Sequence, residues 1–117
     1  MTGFSPVVRR IIISRADSWC ERCGGEIGVD AHHRRPRGMG GTNRAETNQP
    51  SAGLWLCRRC HNRIESHRAE ALEYGWLVRQ TDEPEDIPVL YRGTLVLLDD
   101  LGNLRDVDGA AMTKTEA

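Results

Sequence analysis

The sequence predicts a small α+β protein stapled by a metal ion, with a helix near its N-terminal end and a β-meander near its C-terminal end. Three observations predict this. Two C-x2-C pairs, Cys20/Cys23 and Cys57/Cys60, are set 33 residues apart in a chain of 117. An apolar stripe of helical period precedes the first pair. Short apolar runs divided by turn residues come after the second pair. A domain of this length buries a limited share of its surface, so an ion that gathers four thiolates would add folding free energy where the core is small.

The elements run in order along the chain. Ser5-Pro6 reads as an N-cap followed by proline at the first helical position. Val7, Val8, Ile11 and Ile12 then share one face, which predicts a helix over 6–16 with Trp19 packed against it. Cys20 to Gly25 reads as a metal knuckle whose glycines permit the tight turn after the second thiolate. Ile27 to His33 reads as a short strand, residues 36–41 (PRGMGG) and 42–53 as loops, and Leu54–Leu56 as a second strand running into Cys57. A helix is expected from His61 to Tyr74 with Gly75 as its C-terminal stop, and a short strand over Trp76–Arg79. Residues 81–86 (TDEPED) read as an acidic linker. Val89–Tyr91, Leu95–Leu98 and Leu104–Val107 then form the meander, with a frayed tail over 109–117. Two units are therefore expected, residues 1–80 around the metal knuckles and residues 81–117 carrying the meander.

Charge divides along the same line. Residues 1–80 hold 13 arginines against 8 acidic residues, whereas residues 81–117 hold 3 basic residues against 9 acidic. The first part suits an anionic partner, and arginine forms forked contacts with phosphate. The longest apolar runs, Leu54–Cys57 and Leu95–Leu98, fall far short of the ~20 residues of a membrane span. The opening MTGFSPVVRR lacks the apolar core of a secretory signal, so a reducing, cytoplasmic setting is expected. There, paired knuckles point to a four-cysteine zinc site rather than to disulfides. The gap between them exceeds the usual spacing, which leaves room for a functional insert.

That insert and its flanks carry His32-His33 and His61-x3-Glu65. On a helix His61 and Glu65 share a face. Imidazoles with a carboxylate suit a divalent cation that keeps open positions for water and phosphate. Glu65 also has a plainer role open to it, as a solvated helix residue pairing with Arg68. Adjacent strand residues point to opposite faces, so His32 and His33 can serve one site only at a bulge or at the end of the strand.

The stretches CERCG, DAHHRRPRGMGGT and LWLCRRCHNRIESH resemble the HNH endonuclease family over about residues 17–78, most closely its small phage and prophage members. The resemblance implies a ββα-metal core, here with the structural zinc of Cys20, Cys23, Cys57 and Cys60. It implies His33 as the general base, with His32, His61 and Glu65 as ligands of a catalytic divalent metal. Glu65 stands where many members have a second helical histidine, which favours Mg2+ or Mn2+, with Ni2+ and Zn2+ also open. The implied reaction is hydrolysis of DNA phosphodiester bonds, nicking or cutting, in phage DNA processing alongside terminase subunits. Arg34, Arg35, Arg37, Arg58, Arg59 and Arg63 are then candidates for DNA phosphates. One position departs from the family: Ala52 replaces the usual middle asparagine, and Asn48 is the nearest substitute as a loop brace. A non-catalytic zinc-stapled DNA-binding module is the alternative reading.

Overall fold

In the computed structural model, residues 3–36 and 48–108 are described. The expectations for Arg37 and for the tail from residue 109 lie outside them. The chain runs α1 (Pro6–Ala16), β1 (Asp30–His33), β2 (Gly53–Leu56), α2 (Arg58–Ser66), α3 (Arg68–Glu73), β3 (Val89–Tyr91), β4 (Thr94–Leu98) and β5 (Leu104–Arg105), with short 3-10 turns at Pro50–Ala52 and Pro84–Asp86. The fold is α+β with two small sheets: an antiparallel β1–β2 pair and an antiparallel β3–β4–β5 meander.

α1 begins and ends where local chemistry dictates. Ser5 Oγ accepts the Val8 amide at 3.1 Å, and Asp17 closes the helix in the left-handed region at φ 54°. Ile12 and Ala16 are its fully buried residues, while Val7, expected on the packed face, is 56% exposed. Trp19 is not packed under the helix either; it pairs with Ile27 in an isolated bridge and remains 43% exposed.

β1 and β2 alternate in the way a two-faced ribbon must. Trp55 and Ala31 turn toward α1, where they meet Ile12, Ala16 and Val8. Leu54 and Leu56 turn the other way, into a larger cluster with Ile64 of α2. Leu54, Leu56 and Ile64 are essentially inaccessible to water, and each contributes about 1.5–3 kcal/mol by burial.

That larger cluster continues through Trp76 and Leu77 to Val89, Tyr91, Val96 and Leu98 of the meander. One core therefore crosses the boundary expected near residue 80. Polar contacts cross it too. Arg92, in the β3–β4 turn, donates to the carbonyls of Ala16 (2.7 Å), Trp19 (2.9 Å) and Cys20 (3.0 Å), which satisfies carbonyls at the end of α1 and on the knuckle.

Two expected elements differ. The helix expected over 61–74 starts earlier, at Arg58, and breaks at His67 (φ −133°, ψ 66°). Ser66 Oγ donates back to the Asn62 carbonyl at 2.9 Å, a local bond that competes with continued winding. Arg63 bridges the break with a forked contact to Glu70. The strand expected over 76–79 is instead a connection outside both sheets, bent at Trp76 and Leu77 and buried as far as Val78. Its Trp76 carbonyl faces His32, and its Val78 amide donates to the Arg34 carbonyl at 2.8 Å. Gly75 allows the approach to it: its φ is +79°, and a Cβ there would stand 2.0 Å from the Pro88 oxygen.

Candidate metal centres

The four cysteine sulfurs converge. Cys20 and Cys23 come from the knuckle after α1, and Cys57 and Cys60 from the start of α2; their Sγ atoms all lie within 4.8 Å of one another. Cys23 and Cys57 stand 4.0 Å apart, twice the ~2.05 Å of a disulfide and close to the roughly 3.8 Å edge of a tetrahedral zinc thiolate. The cluster can hold a metal ion such as zinc. Its surroundings suit a site rich in negative charge. The Gly25 amide donates to Cys23 at 3.4 Å, and Arg22 Nη1 donates to Cys60 at 3.2 Å while its guanidinium lies over the Trp76 ring. Burial pushes the Cys23 thiol up, but the Gly25 amide and the neighbouring sulfurs outweigh it and hold the group down at about 7.

Glu21, between the two knuckle cysteines, ties this cluster to the rest of the fold. It is buried and accepts Arg15 Nε and Nη2 at 2.7 and 2.8 Å, together with the Trp55 amide at 2.8 Å. Arg15 also donates to the carbonyls of Pro50 and Gly53 at 2.9 and 2.7 Å. The pair is fully satisfied, which a buried ion pair requires.

A second cluster gathers His32, His61 and Glu65, whose donor atoms also fall within 4.8 Å of one another. His32 Nδ1 and His61 Nε2 lie 4.0 and 3.8 Å from Glu65 Oε1. Donors around one ion at about 2.1 Å stand roughly 3–3.4 Å apart, so the half-exposed Glu65 carboxylate is within about 1 Å of a ligand's spacing from each of the two nitrogens. Both imidazoles have the right nitrogen available. His32 Nε2–H donates to the Trp76 carbonyl at 2.9 Å, which leaves Nδ1 with its lone pair toward Glu65. His61 Nδ1–H donates to Asp30 Oδ2 at 3.1 Å, which leaves Nε2 as the donor atom. Burial drives the His32 pKa down to about 3 against the pull of the Trp76 carbonyl, so the ring is neutral at pH 7, the form a metal binds.

Glu65 makes the Arg68 pairing and also faces the histidines. Its Oε2 accepts Arg68 at 2.9 Å while Oε1 faces the two histidines.

His33 stands next to this set, not within it. β1 is regular and ends at His33, so the two histidines leave the strand on opposite faces, yet both line one cleft of about 240 Å³ with His61, Glu65 and Arg68. His33 Nε2–H donates to Asn48 Oδ1 at 2.9 Å, which makes Nδ1 the basic nitrogen. The nearest substitute for the missing asparagine thus touches the imidazole itself.

The arginines divide sharply. Arg34 and Arg35, expected at DNA phosphates, are 0% exposed. Arg34 donates to the carbonyls of Gly75, Ser51, Pro84 and Ile87 at 2.9, 2.7, 3.1 and 2.8 Å. Arg35 donates to the Asp82 carbonyl. The reason is physical: the chain after β1 turns inward, where carbonyls from three segments need donors. Burial and neighbouring Arg15 press the Arg34 pKa down to about 9, still ionised at neutral pH. The acidic stretch after residue 80 is correspondingly wrapped around Arg34 rather than a free linker. Arg58, Arg59 and Arg63 do lie at the surface, each with an acidic neighbour: Asp30, Glu26 and Glu70.

One residue of the second centre was not anticipated. Asp30 grips both His61 and Arg58, and hydrogen bonds from these two hold its carboxyl below the usual range even though burial opposes them. Its position two residues before His32, hence on the same strand face, is a signal that period-2 alternation contains. Arg68, expected as the partner of Glu65, also lines the cleft although it lies past the helix break. No protein-family model, curated protein or solved structure matches this chain.

Proposed function

We propose that the protein is a metal-dependent endonuclease of the HNH type, with a zinc-stapled ββα-metal core, hydrolysing phosphodiester bonds in DNA. One observation carries the reading: two imidazoles and a carboxylate offer correctly oriented donor atoms in a cleft that a third, separately braced imidazole also lines. Four cysteines supply a distinct closed site, so the histidines are not needed to complete a structural zinc.

In this mechanism zinc sits among Cys20, Cys23, Cys57 and Cys60 and stabilises the fold. His32, His61 and Glu65 would hold a divalent ion such as Mg2+ or Mn2+, which supplies charge neutralisation at the scissile phosphate and at the departing oxygen. His33 Nδ1 takes a proton from the attacking water while Asn48 holds Nε2–H. The water oxygen bonds to phosphorus, the P–O3′ bond breaks, and the 3′ oxygen leaves to be protonated by solvent. Asp30 keeps His61 in the tautomer that presents Nε2.

The test is incubation of supercoiled plasmid with zinc-loaded protein in magnesium, manganese, nickel or further zinc. Nicked or linear product that depends on the added metal, and that disappears in His33→Ala with zinc content and fold retained, is the expected result. Undiminished cleavage by His33→Ala refutes the assigned base. DNA binding without cleavage in every metal replaces the enzyme with a zinc-stapled binding module.

A further inference from the structure

Phe4 lies outside every motif used above, yet its ring covers the His33 imidazole. The ring centroids are 4.0 Å apart and the planes are within 6° of parallel. Strand register explains the space. His33 is paired across the ladder with Gly53, so the two project to the same face. A Cβ on Gly53 would stand 2.8 Å from Phe4 Cζ and 2.4 Å from Ile12 Cδ1. Glycine at this rung therefore leaves room that the Phe4 ring takes up. Phe4 is held there by its neighbours: the Ser5 cap fixes the entry to α1, and Val8, Ile12 and Ala31 belong to the same apolar cluster.

An imidazole has a broad torsion about Cβ–Cγ. The Asn48 bond at Nε2 restrains one edge of the ring and does not by itself fix its tilt. A flat aromatic face 4.0 Å away closes that freedom, because tilting the ring would drive it into Phe4. The two contacts act together on the plane of the ring and hence on the direction of Nδ1.

We propose that Phe4 is a positioning residue for His33, a stacking wall supplied by the segment before α1 that holds the imidazole in the one plane compatible with the Asn48 bond. The orientation stands on geometry alone; its consequence for rate rests on the nuclease reading. Histidine-labelled, zinc-loaded full-length protein would be followed by NMR, with the His33 ring signals identified by their loss in His33→Gln. In wild type they should be shifted upfield by the Phe4 ring current. Phe4→Leu, which keeps an apolar side chain of similar bulk, should move them downfield, and Phe4→Tyr should not. In plasmid cleavage Phe4→Leu should lower kcat by roughly ten- to a hundred-fold with KM unchanged, and Phe4→Tyr should restore it.

Unmoved His33 signals in Phe4→Leu overturn the proposal, and so do moved signals with wild-type kcat. If Phe4→Leu does not fold, Gly53→Ala displaces the ring from the opposite strand and carries the same expectations. If wild-type protein cleaves nothing, the nuclease reading fails and the ring signals alone decide the orientation.

Discussion

Replacing Arg34 with methionine removes a cation that no carboxylate pairs with among the described residues, and leaves four buried carbonyls behind. Those oxygens receive its hydrogen bonds at 2.9, 2.7, 3.1 and 2.8 Å, from Gly75, Ser51, Pro84 and Ile87. A buried acceptor left without a donor costs about 1–3 kcal/mol. Pro84 O keeps a second donor, the Ile87 amide at 3.3 Å, so three acceptors are stranded and, toward the lower end of that range, give about 4 kcal/mol. Relief from burying the charge, and water reaching the outermost carbonyl, offset part of that. A net loss of about 3 kcal/mol remains, a large share of the ~5–15 kcal/mol expected for a domain. In thermal terms the midpoint should fall by about 10 °C or more. Urea denaturation of zinc-saturated protein, followed by circular dichroism, measures it. Arg58→Met is the control: its side chain is 69% exposed on the Asp30 pair, so its loss should stay below about 1 kcal/mol. If Arg34→Met unfolds within about 1 kcal/mol of wild type, the guanidinium does not organise the interior as described. A lowered salt dependence of DNA binding in that folded variant would return Arg34 to the DNA surface.

Three further outcomes rest on the same geometry. Glu21→Ala strands the Arg15 cation and the Trp55 amide, and should cost about 3–5 kcal/mol in the same denaturation assay; a loss under about 1 kcal/mol would contradict the buried pairing. Asp30→Asn frees His61 from its fixed tautomer and should weaken metal binding at the second centre about 10- to 100-fold by calorimetric titration, with the cysteine site unaffected. Without metal at that centre, His32 stays neutral in the fold down to about 3, whereas the unfolded chain takes up its proton near 6.5. The unfolded state therefore binds more protons between those values, and stability should drop as pH falls through that window, by up to about 5 kcal/mol from this group. His32→Gln, which keeps a donor for the Trp76 carbonyl, should flatten that part of the stability profile; an unchanged slope would assign the acid sensitivity elsewhere.

What the sequence made legible was local. Ser5-Pro6 and the residues after it mark α1 because capping and proline act within one turn. Arg92-Gly93 and the stretch 99–103 mark the meander because turns need residues that reach positive φ, and Arg92, Gly93 and Gly102 do so. The two candidate metal clusters were legible because thiolates and imidazoles at such spacings have few other uses. The fates of Arg34 and Arg35 were not. Arg34's partners lie 17 to 53 residues away, and a run of arginines beside a candidate site reads as surface until the chain is seen to turn inward. The break at His67 was equally hidden, since alanines and a leucine on its far side favour a continuous helix. His33 was singled out from its motif, whereas Phe4 became visible only through the ladder register that sets Gly53 opposite His33.

The central claim is that two chemically distinct centres share one small fold, one of sulfur and one of imidazole and carboxylate. Crystals grown with zinc and soaked in manganese, with anomalous data collected on either side of each metal's absorption edge, test it directly. The account predicts zinc among Cys20, Cys23, Cys57 and Cys60, and manganese bonded to His32 Nδ1, His61 Nε2 and Glu65 Oε1. A manganese-free second cluster at saturating metal, or an ion drawing ligands from both sets at once, would contradict it.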